Sequence, residues 1–394
     1  MKVAFNLGGA IQNDTGPNIY RRNLFRALYE LSNSEFSVTG IQYGKDDLDE
    51  TYPVNDRYEE LEIPQPPLLS KLFRTTTKKK IHFGRGTNFL TENKISREKQ
   101  VDINHIQGLP HRRLFWVAGR DLTTISTIHA PWIIVNDMPD EVSEYTVCQK
   151  LKERSLYRIL TSHLDGIITV SKYMKKRLAE EIGYPRERIY VTYNAPPLSF
   201  KPTTDKRLVN SYGIPTKYIL HLSNASKRKN PQGVVNGFVE AKKTYNLGDE
   251  LVLAGGRWKK EDFDFSTVPD RIIDDIKFVG FIPREDLPAI YSHARTFLMP
   301  SYVESCSLAQ LEAMACGTPV VATNRTGMPE IGGESCLYVD RPSDYESIGH
   351  KINQAIERSD ELGKQALKKS REYTWKKTAV QTKKVYSEVL ENQI

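Results

Sequence analysis

Residues 295–333 read RTFLMPSYVESCSLAQLEAMACGTPVVATNRTGMPEIGG, and this stretch decides the expected fold. Its apolar run Phe297–Pro300 has the length and the closing proline of a buried strand. Ser307 suits a helix N-cap because its hydroxyl can accept from the free amides of the first turn, and apolar residues then recur at helical spacing until Gly317. A second apolar run, Thr318–Ala322, follows. The stretch therefore predicts a strand, a tight loop, a helix and a second strand.

The loop before the helix lies at the carboxyl end of a strand, where open α/β sheets bind ligands. The free amides of Ser307 and Leu308, together with the helix dipole, can hold a phosphate oxygen. Glu304 and Glu312 lie on either side of the helix start, and carboxylates accept hydrogen bonds from sugar hydroxyls. The loop thus favours a ligand with hydroxyl groups at both ends and phosphates between them, such as a nucleotide sugar. The alternative is a solvated Glu304 and a Glu312 that pairs with a lysine of a neighbouring helix.

The overall composition limits the class of protein. The chain has 394 residues, enough for two or three domains with cores of their own. Hydrophobic residues make up 39% and charged residues 27%, which is typical of a globular protein in water. No apolar run approaches the roughly 18 residues of a transmembrane helix, and the N-terminus lacks the features of a signal peptide. The four cysteines show no close metal-ligand spacing, so we expect a cytoplasmic protein with reduced thiols and no metal site.

Positive charge is concentrated in residues 71–120, which hold twelve Lys or Arg against three acids, whereas the whole chain has a net charge of +7. Leucine and aromatic side chains lie among these cations, and the acidic stretch 45–62 before them is expected to be a loop. The basic segment favours peripheral contact with an anionic membrane or with a phosphate-bearing acceptor, and a merely solvated face is the alternative. No recognised nucleic-acid module accompanies the charge, so nucleic acid is not an expected partner.

Two features of the first half of the chain favour a ligand site. The strand Lys2–Leu7 leads through a loop that ends at Gly16 into a helix from Asn18. This loop lacks the G-x-G-x-x-G spacing of dinucleotide folds, so hydride chemistry is not supported. A second strand, Thr123–Ile128, runs directly into His129, which places this side chain at the rim of a parallel sheet, although a lone histidine is more often structural.

A pair of cations marks the second half. Residues 195–204 contain several prolines and form the expected linker between the two halves. The strand Tyr218–Leu222 follows. The loop after that strand carries Arg228 and Lys229, directly before a helix that begins near Pro231. Cations at a strand end beside a helix start are well placed to neutralise a diphosphate.

Two blocks of sequence resemble one known family. Residues 304–323, ESCSLAQLEAMACGTPVVAT, resemble the donor-site signature of retaining glycosyltransferases of family 4, which have the GT-B fold. Residues 165–197 resemble the end of the first domain in that family. The resemblance implies two Rossmann-like, doubly wound α/β domains that face each other across a cleft. It assigns residues 1–195 to acceptor binding and 205–373 to nucleotide-sugar binding, and part of 374–394 is expected to cross back onto the first domain.

The same resemblance implies roles for individual residues. Glu304 corresponds to the residue that contacts the transferred sugar, and Glu312 to the residue that contacts the ribose. The chain departs from the family at Ser305 and Ser307, where glycines are usual, and at Cys306, where an apolar residue is usual. The other implied donor contacts are Arg228 and Lys229 on the β-phosphate, the amides of Ser307 and Leu308 on the diphosphate, the amide of Gly16 near the phosphates, Gly280 and Phe281 against the base, and His129 on the transferred sugar.

Enzymes of family 4 retain the anomeric configuration, use no metal and need no cofactor besides their donor. The resemblance therefore implies transfer of a sugar from a UDP-, GDP- or ADP-sugar to a hydroxyl group of a glycan, a lipid-linked molecule or another acceptor. One alternative is a sugar-nucleotide epimerase or a synthase of the same architecture. Another is a non-catalytic subunit that binds a membrane or a partner through residues 71–120.

Overall fold

The structure is a computed structural model that describes residues 1–7, 15–42, 58–60, 101–108, 122–135, 137–139, 142–143, 145–224, 226–256 and 258–393. The basic segment 71–120 lies outside these residues except for 101–108, so its contact with a membrane or an acceptor stays a prediction. Within the described ranges, no helix is both long and apolar enough to cross a membrane.

The first half of the chain forms a parallel sheet. Its described strands are β1 (Lys2–Asn6), β2 (Ser37–Gln42), β3 (Tyr58–Glu60), β4 (Ile103–Gln107), β5 (Thr123–Thr127), β6 (Gly166–Thr169) and β7 (Ile189–Val191), and its described helices are α1 (Gly16–Glu30), α2 (Val147–Thr161) and α3 (Lys172–Ile182). The strands lie in the order β3-β2-β1-β4-β5-β6-β7. Contrary to expectation, the acidic stretch 45–62 is not all loop, because it contains β3, a three-residue edge strand that pairs with β2.

The second half forms another parallel sheet. Its strands are β8 (Tyr218–Leu222), β9 (Glu250–Ala254), β10 (Ile276–Gly280), β11 (Thr296–Met299), β12 (Val320–Thr323) and β13 (Leu337–Val339). They lie in the order β10-β9-β8-β11-β12-β13. The described helices are α4 (Arg207–Ser211), α5 (Pro231–Tyr245), α6 (Asp270–Ile273), α7 (Leu287–His293), α8 (Leu308–Ala315), α9 (Met328–Gly332), α10 (Tyr345–Glu357), α11 (Ser359–Ser370) and α12 (Trp375–Glu391).

The strand–loop–helix–strand unit predicted from residues 295–333 is β11, α8 and β12. Every residue of β11 and β12 is buried, as expected for central strands of a parallel sheet that helices cover on both faces. Ser307 caps α8, since its hydroxyl accepts a hydrogen bond from the amide of Gln310 at 3.2 Å. Gly317 follows the helix with a φ of 75°, a left-handed conformation that glycine adopts without strain. The predicted start and end of this helix are therefore confirmed.

Both sheets are doubly wound, with the order of strands reversing between β1 and β4 and between β8 and β11. Ligands of open α/β sheets bind outside the carboxyl ends of the strands at such a reversal. Gly16 at the start of α1 lies against Leu308 at the start of α8, because a Cβ on Gly16 would be 3.6 Å from Cδ1 of Leu308. The ligand-binding edges of the two sheets thus face each other, as the predicted architecture requires.

Helix α12 follows the second sheet in sequence but packs on the first, against α1. The hydroxyl of the fully buried Tyr386 lies 2.6 Å from Nδ1 of His105 in β4. Near the start of the same helix, Oγ1 of Thr378 donates to the carbonyl of Tyr193 at 2.8 Å. The predicted return of the C-terminal segment onto the first domain is confirmed, whereas the exact domain bounds 1–195 and 205–373 stay predictions.

The buried His105 should make the fold sensitive to acid. Burial, and to a smaller extent His129, lowers the pKa of His105 to about 3, whereas in the unfolded chain this histidine binds a proton near pH 6.5. The free energy of unfolding must therefore fall as the pH drops below that value. Between pH 7.5 and pH 5.5, we expect the free energy of unfolding of the wild type to fall by about 1.4 kcal/mol more than that of His105→Gln. Urea denaturation of both proteins at the two pH values measures this difference, and equal losses would contradict it.

Candidate active site

Three charged side chains meet where the loops after β8 and β11 leave the second sheet. Arg228 and Lys229 lie on a short 3-10 turn after β8, and Glu304 lies in the loop between β11 and α8. Oε1 of Glu304 is 2.8 Å from Nη1 of Arg228 and 2.5 Å from Nζ of Lys229. We call these three side chains the charge cluster. The structure thus brings together a carboxylate and two cations that are about 75 residues apart in sequence.

The charge cluster is largely buried, and only 6% of the Glu304 side chain is exposed. Burial by itself raises the pKa of Glu304, but the charges of Arg228 and Lys229 outweigh this effect and hold the pKa below its ordinary value. For Lys229, burial lowers the pKa, and the carboxylate of Glu304 opposes that shift. One carboxylate faces two cations, so the cluster retains an excess positive charge that attracts a further anion.

Several polar atoms of the cluster are available to a ligand. Nη1 of Arg228 donates to Glu304 and to the carbonyl of Val303 at 3.2 Å, but its Nε and Nη2 have no partner in the described part of the chain. Both cations contact Oε1 of Glu304, which leaves Oε2 without a partner among the same residues. The site therefore offers three unused guanidinium donors and one unused carboxylate oxygen.

The start of α8 adds backbone donors beside the cluster. The amides of Ser307 and Leu308 have no hydrogen-bond partner within the described ranges, and the side chain of Ser307 serves as the helix cap. Because Gly16 lies against Leu308, the first turns of α1 and α8 approach each other from opposite sheets. The positive ends of these two helix dipoles therefore lie close together.

Glu312 lies inside α8 and has a different partner. Its side chain is 3% exposed and forms an ion pair with Arg284, which precedes α7. The Arg284 guanidinium in turn lies over the ring of Phe200, 4.9 Å from the ring centroid. The sequence left open a pairing of Glu312 with a lysine, and the structure gives it an arginine instead. Glu312 is thus held one turn behind the helix tip, where its predicted contact with a ribose stays a prediction.

His129 follows β5 on the opposite side of the cleft. Its ring meets Tyr20 edge-on at 4.5 Å, and its Nε2 is buried with no hydrogen-bond partner in the described residues. Burial, aided by the positive charge of Arg21, lowers the pKa of His129 to about 3. The imidazole is therefore neutral at physiological pH, and one of its nitrogens keeps an unused capacity for a hydrogen bond.

Gly280 and Phe281 lie at the carboxyl end of β10. Gly280 has a φ of 75°, which turns the chain out of the strand, and its carbonyl accepts from the amide of Gly255 at 2.7 Å. The Phe281 side chain is 74% exposed. An exposed aromatic ring at this edge can stack on a nucleotide base, although no contact connects it to the charge cluster.

Sequence reasoning missed several residues that hold the site. Val303 is fully buried among residues of the first half of the chain, including Ile134 and Met174, so it anchors the loop that carries Glu304. The carboxylate of Glu330 accepts from the amide of Lys172 at 2.7 Å at the start of α3, which ties the two halves together. The ring of Trp132, in the first half of the chain, also lies under the Arg228 guanidinium. Such contacts between distant residues leave no periodic signal in the sequence.

The structure contains a hollow of about 520 Å³ where Tyr193 and Asn194 meet the start of α12. Its two lysines, Lys369 and Lys377, are balanced by Glu330 and a second glutamate, Glu372. None of the predicted site residues lines it. Among the described residues, no group of His, Cys, Asp and Glu side chains is arranged to hold a metal ion.

Two family models match the chain. The model described as "Glycosyl transferases group 1" matches residues 206–373, and the one described as "Glycosyltransferase Family 4" matches residues 52–199. The chain is also 30% identical over 244 residues to O-antigen chain mannosyltransferase B of Escherichia coli. This match covers 59% of the chain and 63% of that protein, so the chain spans less than two thirds of the relative's length.

Solved structures resemble the chain over its whole length. Sucrose-phosphate synthase from Thermosynechococcus elongatus aligns over 100% of both chains with a TM-score of 0.72 and 20% identity. Anabaena Alr3699/HepE, solved in complex with UDP, aligns over 98% of this chain and 100% of that chain, with a TM-score of 0.67 and 16% identity. Likeness at these identities concerns the fold, and it confirms the fold class predicted from the sequence.

Gly327 offers a test of how tightly the Glu304 loop is packed. Its amide donates to the carbonyl of Glu304 at 2.9 Å, and a Cβ on Gly327 would lie 2.0 Å from the carbonyl oxygen of Ser305. We expect Gly327→Ala to lower the free energy of unfolding by about 1–3 kcal/mol, because backbone must move to admit the methyl group. Chemical denaturation measures the effect. Gly248→Ala is the matched control, since nothing lies within 4 Å of a Cβ there, and equal effects of the two variants would contradict the expectation.

Proposed function

Because this chain belongs to the group 1 glycosyltransferases of family 4, we propose that it transfers a sugar from a nucleoside-diphosphate sugar to a hydroxyl group of a glycan or lipid-linked acceptor, with retention of configuration. The observation that carries the proposal is the charge cluster beside the start of α8, with its excess positive charge and unused donors. These groups match the diphosphate of such a donor.

The proposed site holds the diphosphate between Arg228, Lys229 and the amides of Ser307 and Leu308. During transfer the bond between the anomeric carbon and the phosphate oxygen breaks, and the acceptor oxygen bonds to that carbon on the same face. The proton of the acceptor hydroxyl passes to the departing phosphate. Negative charge grows on the diphosphate in this step, so the cations and amides stabilise the transition state more than the bound donor.

Carboxylate and imidazole groups are proposed to hold the transferred sugar. Oε2 of Glu304 has no protein partner in the described residues and can accept from a sugar hydroxyl. His129, on the other side of the cleft, is proposed to contact the same sugar through its neutral imidazole, whose buried Nε2 has no partner among the described residues. Glu312, with Arg284 beside it, is proposed to bind the ribose, and Phe281 to stack on the base. We propose no role for Glu304 as a covalent nucleophile, since its family counterpart binds the sugar.

The donor and the acceptor are proposed by chemical class. The similarity to a mannosyltransferase makes mannose the first sugar to test, carried by GDP, UDP and ADP in turn. Slow hydrolysis of each donor in the absence of acceptor identifies the base and the sugar. We also propose that transfer needs no metal, because protein cations and amides meet the diphosphate charge, and activity in EDTA tests this point. Residues 1–195 are proposed to bind the acceptor, and segment 71–120 to contact an anionic membrane.

The cationic half of the cluster is tested by Lys229→Ala. We expect the Kd of the nucleoside diphosphate to rise about 10- to 100-fold, because a hydrogen bond to a charged group is worth about 1.5–3 kcal/mol. Isothermal titration calorimetry with GDP and UDP measures the change. Lys227→Ala is the matched control, since Lys227 is an exposed cation on the same turn. Unchanged affinity in Lys229→Ala would remove the phosphate assignment, and a wild-type chain that binds no nucleotide would favour the non-catalytic alternative.

The carboxylate half is tested by Glu304→Gln, which keeps the shape of the side chain and removes its charge. We expect transfer to fall about 100-fold or more, because the negative charge that faces the reacting sugar is lost. Affinity for GDP or UDP should not fall, since the two cations lose their competing partner. Transfer assays and calorimetry on the same preparation separate the two effects. Wild-type transfer by Glu304→Gln would disprove its role, and turnover that requires no acceptor would favour the epimerase alternative.

A further inference from the structure

An aromatic ring of the first half of the chain lies under the Arg228 guanidinium. Trp132, three residues after His129, has its ring centroid 4.5 Å from Cζ of Arg228. The two residues are 96 positions apart, and they belong to the loops of different sheets. Among aromatic rings the indole binds cations best, and arginine is the cation that most often lies over one. The phosphate-binding group is therefore assembled from both halves of the molecule.

The plane of the guanidinium is fixed from two directions. Nη1 of Arg228 uses both of its hydrogens, on Glu304 and on the carbonyl of Val303, and Trp132 covers one face of the group. The amide of Tyr302 donates to the carbonyl of Arg228 at 2.9 Å, which fixes the backbone as well. The edge formed by Nε and Nη2 is the part that remains without a partner in the described residues. A guanidinium edge of this kind binds two oxygens of one phosphate.

We propose that Trp132 is a positioning residue for the phosphate clamp: its ring holds the Arg228 guanidinium so that the edge formed by Nε and Nη2 meets the β-phosphate of the donor. This inference rests on the proposed function. An arginine side chain has four rotatable bonds, so a guanidinium without the ring would have to be ordered when the ligand binds. Because the ring comes from the acceptor side, donor affinity depends on the two halves lying together.

The ring itself is not a core residue. Trp132 is half-buried and packs against the edge of the cluster of buried residues around Ile134 and Met174, without belonging to the cluster itself. Its neighbour Ile133 is also half-buried and packs against the same cluster, but it has no ring and so makes no cation–π contact. Ile133→Ala is therefore a matched control for the loss of packing at this turn.

The test compares Trp132→Ala, Trp132→Phe and Ile133→Ala by calorimetry. We expect Trp132→Ala to raise the Kd of the diphosphate that the wild type binds, GDP or UDP, about tenfold, and Trp132→Phe to restore most of the affinity because a ring remains. The Kd of the corresponding monophosphate should stay unchanged in all three variants, since it lacks the β-phosphate. A merely structural role would weaken both ligands equally and would not be rescued by phenylalanine.

A double-mutant cycle with Arg228→Ala shows whether Trp132 acts through the arginine. We expect the double variant to lose no more diphosphate affinity than Arg228→Ala alone. Additive losses would overturn the inference, and so would wild-type affinity in Trp132→Ala. The proposed function would survive either result, whereas it would fail if the wild-type chain bound no nucleoside diphosphate at all.

Discussion

The burial of Glu304 between two cations is the interaction on which the structure of the site depends. Removing three charges from water costs several kcal/mol for each ion, and a buried ion pair rarely adds more stability than apolar residues would. Stability alone therefore does not account for the cluster. One carboxylate does not balance Arg228 and Lys229, and the first amides of α8 add positive potential without protein acceptors among the described residues. These features are better explained by an anion that completes the cluster than by the needs of the fold.

The parallel sheet creates this cluster because it brings two loops to one edge. β8 and β11 are neighbours in space although they are separated by β9 and β10 in sequence, so Arg228 and Glu304 leave the same edge side by side. The Glu304 loop is then fixed from several sides. Val303 packs into the first half, Gly327 supports the loop from the second half, and Trp132 covers Arg228. The return of α12 onto the first sheet holds the two halves in the arrangement that these contacts need.

The sequence predicts the parts of this molecule that depend on local signals. β8 has the predicted bounds and α8 the predicted N-cap, because an apolar run and a serine mark them clearly. β3 was not predicted, since a three-residue polar strand exists only through its pairing with β2. Helix α2 was not predicted, because several of its apolar residues, such as Val147 and Leu151, face outward. Its apolar residues therefore do not form the single helical stripe by which a helix is predicted from sequence. The charge cluster was predicted as a set of residues, but the partner of Glu312 and the ring under Arg228 depend on tertiary contacts.

The pairing of both glutamates with cations has a consequence for the order in which a donor would be bound. Oε1 of Glu304 is occupied by Arg228 and Lys229 as long as no other anion is present. A diphosphate that draws the two cations toward itself frees this oxygen, and the carboxylate can then accept from two sugar hydroxyls instead of one. Phosphate binding would thus prepare the sugar site, so a free sugar would find it incomplete. The same coupling requires the two cations to be shared between the carboxylate and the ligand, so the ligand must carry an anionic group beside its sugar. For the proposed transferase, the electrostatics of the cluster would therefore select a sugar that carries phosphate over a free sugar, before any contact to the base is considered.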